Sequence, residues 1–112
     1  MKPNPLKLNA LQARTLGLLQ ELARHPESST ANESTGEVEI SLLPVPHGNH
    51  MHIGDFVVSS RDASGFTNEA VWRALDRKGL AKAGFPVQIT LTRDGLAYDT
   101  GIKRDILESS DH

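Results

Sequence analysis

The sequence predicts a small α+β domain built from an N-terminal helix, a β-hairpin, a second helix and a short second hairpin. Three observations carry this expectation. "LNALQARTLGLLQELARHP" repeats leucine at helical spacing, "TNEAVWRALDRKGLA" has the capping pattern of a second helix, and "EVEISLL" and "PVQITLT" alternate apolar and polar residues as half-buried strands do. At 112 residues and 38% hydrophobic, the chain has material for a single domain with one modest core. Aromatic residues are only 4%, so aliphatic side chains must fill most of that core, helped by Phe56, Phe66, Trp72, Phe85 and Tyr98.

The first helix is expected over residues 8–25, with Leu8, Leu11, Leu18, Leu19 and Leu22 forming a broad apolar face. Asn9 is placed to cap its start and Gln12, three residues later, to complete a capping box. Arg24 and His25 suit the negative C-terminal end, and Pro26 stops the helix. Gly17 costs about 1 kcal/mol relative to alanine in a helix interior. Either another backbone packs closely there or the imperfection is tolerated. Residues 27–36, "ESSTANESTG", offer no large apolar side chain to offset the entropy of ordering, which predicts a mobile surface loop. Asn32-Glu33-Ser34 matches a glycosylation acceptor, but with no secretory signal the match is attributed to chance.

"EVEISLL" puts Val38, Ile40 and Leu42 on one face of a strand and Glu37, Glu39 and Ser41 on the other, with Pro44 and Pro46 ending it. "HGNH" then falls at the tip of a connection, and "MHIGDFVVSS" resumes apolar character, so a hairpin of these two segments is the simplest expectation. His50 and His52 share a face if the segment is a strand, and His47 is placed to fold over from the turn. Three neutral imidazoles can ligate zinc, copper or nickel. No metalloenzyme spacing matches, however, and the flanking Pro46 and Gly48 and scarce carboxylates would leave the ligands poorly oriented. The expectation is that His47, His50 and His52 form a hairpin tip or crossing loop without high metal affinity. Residues 55–63 read either as a short helix capped by Asp55 or, from Val57, Val58 and the serines, as a strand.

The second helix is expected over 67–78, with Thr67 at the N-cap, Glu69 in the positively polarised first turn and Gly79 at its end. Val71, Trp72 and Leu75 face inward. A hairpin over 80–92 follows, whose second strand places Val87, Ile89 and Leu91 on one face. The tail "IKRDILESSDH" suggests a short helix through Ile102, Ile106 and Leu107, with residues 108–112 frayed. Its apolar stripe serves either a homodimer contact or packing on its own domain.

The pairing of "VWRALDRKGLA" with "ITLTRDGLAY" resembles the recognition helix, wing and following L-T-x-x-G turn of winged helix-turn-helix regulators, such as those of the multiple-antibiotic-resistance class. The likeness spans residues 65–99, covers the first helix generically, and hardly touches the histidine segment. It implies a winged-helix-like domain in which the leucine-rich first helix lies beneath the recognition helix. Gly65 and Phe66 match the tight turn that precedes such a helix, whereas Arg61 stands where the family carries a small residue. The resemblance also implies a transcriptional regulator that binds double-stranded DNA through Asn68, Arg73 and Arg77, with phosphate contacts from Lys78, Lys82 and Arg93 near the wing. Glu69 and Asp76 lie at ion-pair spacing from Arg73, so the same face also reads as an ordinary solvated helix. The alternative function is a protein–protein interaction module on the same scaffold, using Trp72, Phe85 or the tail.

Composition narrows the remaining classes. The absence of cysteine removes disulfides, thiolate metal sites and a cysteine nucleophile. A net charge of −2 disfavours nonspecific coating of nucleic acid and leaves room for a local basic face. No nucleophile elbow, phosphate loop, metalloprotease motif or calcium loop is present, so neither an enzyme nor a cofactor is expected. No signal peptide or membrane span is legible, and a soluble cytoplasmic protein without membrane contact is the expectation.

Overall fold

The computed structural model describes residues 5–46, 48–53, 56–101 and 108–109. They form an α+β domain with three α-helices and two antiparallel sheets. The first helix, α1, runs over Ala10–Leu22. Its capping box is made as the sequence predicts, with Asn9 Oδ1 accepting from Gln12 N at 2.8 Å and Gln12 Oε1 accepting from Asn9 N at 3.1 Å. Burial of α1 goes beyond a stripe: Thr15, Leu16, Gly17, Leu18 and Leu19 are buried consecutively. A helix apolar on most sides belongs at the centre of a domain, and α1 contacts every other helical element. The close approach documented on α1 is at Thr15. A Cβ on Gly65 would collide with the Thr15 hydroxyl, so the chain passes over the helix there with no room for a side chain.

Residues 27–36 depart from the expectation of a loop without regular structure. Ser29–Asn32 forms strand β1, paired antiparallel with β2, Glu37–Ile40. Its anchors are polar. Ser28 Oγ donates to Leu22 O and His25 O, and Ser29 Oγ donates to Ala23 O and His25 O, tying the strand to carbonyls at and just past the C-terminal end of α1, where Leu22 O and His25 O also accept from His25 N and Ser28 N. The turn is closed by Asn32, whose side chain accepts from Ser34 N at 2.9 Å and whose carbonyl accepts from Gly36 N at 2.8 Å.

The first hairpin also differs from its expectation. Strand β3, His50–Ile53, pairs with β4, Phe56–Ser59, and not with residues 37–43. β2 and β3 belong to different sheets, so the chain between them passes from one sheet to the other and does not close a hairpin. This settles the 55–63 alternatives in favour of a strand, followed by a single 3-10 turn over Ser64–Thr67. Leu42 lies past the end of β2 and is 58% exposed, so it does not join Val38 and Ile40 on the inner face.

The second helix, α2, runs over Glu69–Arg77. Asn68 caps it by accepting from Ala70 N, while the expected cap, Thr67, ends the preceding 3-10 turn. Val71, Trp72 and Leu75 are buried, and α2 packs on α1. Its C-terminus is a Schellman closure: Leu80 N donates to Leu75 O, Gly79 N donates to Asp76 O, and Gly79 takes a φ of 76° that its missing Cβ permits. Strands β5, Ala81–Gly84, and β6, Gln88–Leu91, form the expected second hairpin. Val87 sits outside β6 in its turn, 73% exposed, so only Ile89 and Leu91 reach the core.

β6 pairs with β2 as well, giving a four-stranded sheet in the order β1-β2-β6-β5. A short helix α3, Arg93–Ala97, follows, with the Thr92 hydroxyl accepting from Gly95 N and donating to Gly79 O. Glu108–Ser109, expected to be frayed, forms strand β7 against β4, completing the second sheet, β3-β4-β7. The tail helix expected through Ile102, Ile106 and Leu107, and residues 110–112, lie outside the described residues. The core gathers Leu16, Leu18 and Leu19 of α1 with Ile40, Ile53, Val58, Trp72, Leu75, Ile89 and Leu91 from both sheets and α2. Among the described residues, no helix is long and apolar enough to cross a membrane.

Candidate functional site

The outer face of α2 follows from the helix itself. With Val71, Trp72, Ala74 and Leu75 turned inward, helical geometry places Glu69, Arg73, Asp76 and Arg77 outward, and all four are exposed. Arg73 and Arg77, one turn apart, share a shallow depression of about 390 Å³ with Glu69 and Ala70. Arg73 is occupied, however. Its Nη2 and Nε donate to Glu69 Oε2 at 2.8 and 3.1 Å, with 69% of the arginine and 49% of the glutamate side chain exposed. Asn68 spends its side-chain carbonyl on the helix cap, which leaves its amide group to donate.

The other three candidate residues are divided between two further places. Lys78 is half-buried at the C-terminus of α2, and its Nζ donates to Leu6 O at 2.8 Å. Lys82, on the outward side of β5, pairs across the sheet with Glu37 of β2 at 3.0 Å. Arg93 lays its aliphatic stem over Gly36, where a Cβ would come within 2.9 Å of Arg93 Cγ and Cδ. The structure therefore brings Arg73 together with Arg77, and Lys82 with Arg93 around Glu37, with Lys78 committed elsewhere. Asp76, which sequence spacing offered to Arg73, instead accepts from Ala83 N at 2.9 Å and ties α2 to the hairpin. Glu37 and the Leu6 carbonyl were not singled out in the sequence, because their partners lie 45 and 72 residues away and no local pattern links them.

Trp72 is fully buried, its ring edge-on to Phe85 at 4.9 Å, and its Nε1 has no hydrogen-bond partner among the described residues. Trp72 cannot be the exposed contact that the interaction-module expectation gave it, and Phe85 is half-buried against it. Apolar exposure occurs instead at Leu42, 58% exposed, and Val45, 71% exposed. These residues border a groove of about 240 Å³ between the end of α1 and β3, floored by Leu22, Leu43 and Ile53.

His50 and His52 do share a face of β3, opposite the buried Met51 and Ile53, with their rings edge-on at 5.0 Å. His47 lies outside the described residues. His25 lines the same groove as His52, and its ring nitrogens are engaged at 3.1 Å from the buried Glu21 carboxylate and 3.5 Å from Glu27. Among the described residues no three of His, Asp and Glu converge as metal ligands. Comparison with known proteins found no matching family model, no matching curated protein and no matching solved structure.

Proposed function

We propose that the domain binds double-stranded DNA as a small winged-helix-like transcriptional regulator, with α2 as the recognition helix and residues 80–92 as the wing. The observation that carries this reading is the pair Arg73 and Arg77, exposed one turn apart on the outer face of a helix whose inner face is fixed on α1. The order of elements supports it: a leucine-rich helix beneath, a tight Gly65-Phe66 turn before, and a two-stranded hairpin after. Strand β4 and the 3-10 turn take the place of a supporting helix, which makes this an unusual variant of the plan.

The Glu69–Arg73 pair does not block the function. An exposed ion pair contributes at most about 1 kcal/mol, so phosphate can take over the guanidinium at small cost. One nine-residue helix reads few base pairs, so operator recognition calls for two copies on neighbouring half-sites, and a homodimer in the cytoplasm is part of the reading. Fluorescence anisotropy with a random duplex pool, at low and moderate salt, tests it. Binding should weaken with salt and with Arg73→Ala or Arg77→Ala.

A second reading, a protein-interaction module without DNA binding, is favoured by exposed Leu42 and Val45 beside their groove. Absence of binding to any duplex at the lowest salt would sink the DNA reading and leave this one.

A further inference from the structure

Lys78 is the one candidate phosphate contact that the fold half-buries. As the C-cap of α2, its charge suits the negative end of the helix. Its amine, though, is directed to the backbone carbonyl of Leu6, 72 residues away in sequence. The same Leu6 is held from its other side, its N–H donating to the Tyr98 hydroxyl at 3.3 Å. Leu6 is half-buried against the core and Leu8 is 6% exposed, while Lys7 between them has a φ of 55°. That left-handed conformation is costly for a residue with a Cβ. Residues 5–8 thus lie across the end of α2, anchored by Leu6 and Leu8 and strained at Lys7.

We infer that residues 5–8 form a releasable strap that masks the Lys78 amine, an autoinhibitory contact which a polyanion must displace to gain a further phosphate contact beside Arg77. The inference rests on the DNA reading above. With the strap docked, α2 offers two arginines. With it released, the Lys78 amine, about 100° around the helix from Arg77 at the C-terminal end of α2, adds a third cation beside the arginine face. Strain at Lys7 favours release, and the bonds at both peptide groups of Leu6 oppose it.

The test has two arms on the full chain. In the first, acetic anhydride labels lysines and mass spectrometry reads Lys78 against exposed Lys82. Loss of a charge-assisted hydrogen bond corresponds to about tenfold in exposure. Lys78 should therefore be labelled roughly that much faster in Leu6→Ala, and faster also in Tyr98→Phe, which loosens the strap without removing an apolar anchor. Lys7→Gly, which relieves the strain, should slow it. Thermal melts identify any variant that simply fails to fold, and Tyr98→Phe and Lys7→Gly then decide the matter. In the second arm, binding to a short random-sequence duplex is followed against salt. Release should tighten binding and steepen the slope of log K against log salt by about 0.9, one phosphate contact. Lys78→Gln should abolish the difference between strapped and released forms.

Equal labelling of Lys78 in the parent and the variants overturns the strap. Faster labelling with an unchanged slope overturns the autoinhibition while the DNA reading stands. No duplex binding by any strap-released variant overturns the DNA reading, and the masking role falls with it, whereas the labelling arm still reports whether the strap opens.

Discussion

The α1–α2 interlock and the β1–β2 hairpin are both ordered, but for opposite reasons. Between the helices the contact is apolar and close-packed: Leu16, Leu18, Leu19, Trp72 and Leu75 are all fully buried, and Gly65 fits over Thr15 only because it lacks a Cβ. In the hairpin, β1 is largely exposed and holds through backbone pairing, two serine hydroxyls on carbonyls at the end of α1, and the Asn32 turn. Apolar burial contributes roughly 25 cal/mol per Å² and is felt at every methylene. A hydrogen bond contributes about 1 kcal/mol net, so one region should resist mutation and exchange far more than the other.

The most severe break in the comparison is at Trp72. Trp72→Ala should cost about 3–5 kcal/mol, the range for a fully buried large aromatic, read as a shift of the urea midpoint. Trp72→Phe should cost far less than its lost volume implies, because it also removes an N–H buried without a partner. Equal losses in the two variants would show that Nε1 is satisfied after all.

Gly65→Ala comes next, at about 1–3 kcal/mol, since the added methyl overlaps the Thr15 side chain in a packed interior. Thr15→Ala in the same chain should recover part of the loss by clearing the obstructing hydroxyl. A tolerated Gly65→Ala would mean that the chain passes farther from α1 than described.

These two regions also explain what the sequence disclosed. Leucine spacing marked α1, the Val71/Leu75 face marked α2, and the Asn9–Gln12 box was read to the residue, because caps and amphipathic faces are encoded within a few neighbouring positions. β1 was missed because only apolar anchors were sought in 27–36, while Ser28, Ser29 and Asn32 anchor it by hydrogen bonds to groups up to six residues away. The pairing of 50–53 was misassigned because alternation shows that a strand exists and not which strand it joins. At the candidate site, exposure of Arg73 and Arg77 followed from helical periodicity. The engagement of Lys78 and Lys82 did not, since it depends on tertiary neighbours.

Ser28→Ala probes the polar region at about 1 kcal/mol, with Leu22 O losing one of its two donors, the other being His25 N, in a buried setting. Amide exchange should speed in β1 and β2 and remain slow in α1. Uniform acceleration through the whole domain would show that the hairpin and the helical core open as one cooperative unit.

The smallest effect on stability belongs to the outer face of α2, where it separates folding from function. Glu69→Gln removes the partner of Arg73 and an acidic residue from the first turn, for a loss of about 0.5 kcal/mol at an exposed site. Glutamine keeps the size and most of the helix propensity, so the interlock beneath should not change. If Arg73 serves a phosphate, the same substitution should strengthen duplex binding, because the guanidinium no longer has to leave a carboxylate and one repelling charge is gone. Arg73→Ala should do the opposite at similar cost to stability. Anisotropy titrations of both variants against one duplex give the answer, since contact through α2 predicts opposite signs at nearly equal stability that exceed those of the same charge changes at Glu33 and Arg24, away from this helix. Matching signs, or no change in either, would make this face an ordinary solvated helix stapled by its own ion pair.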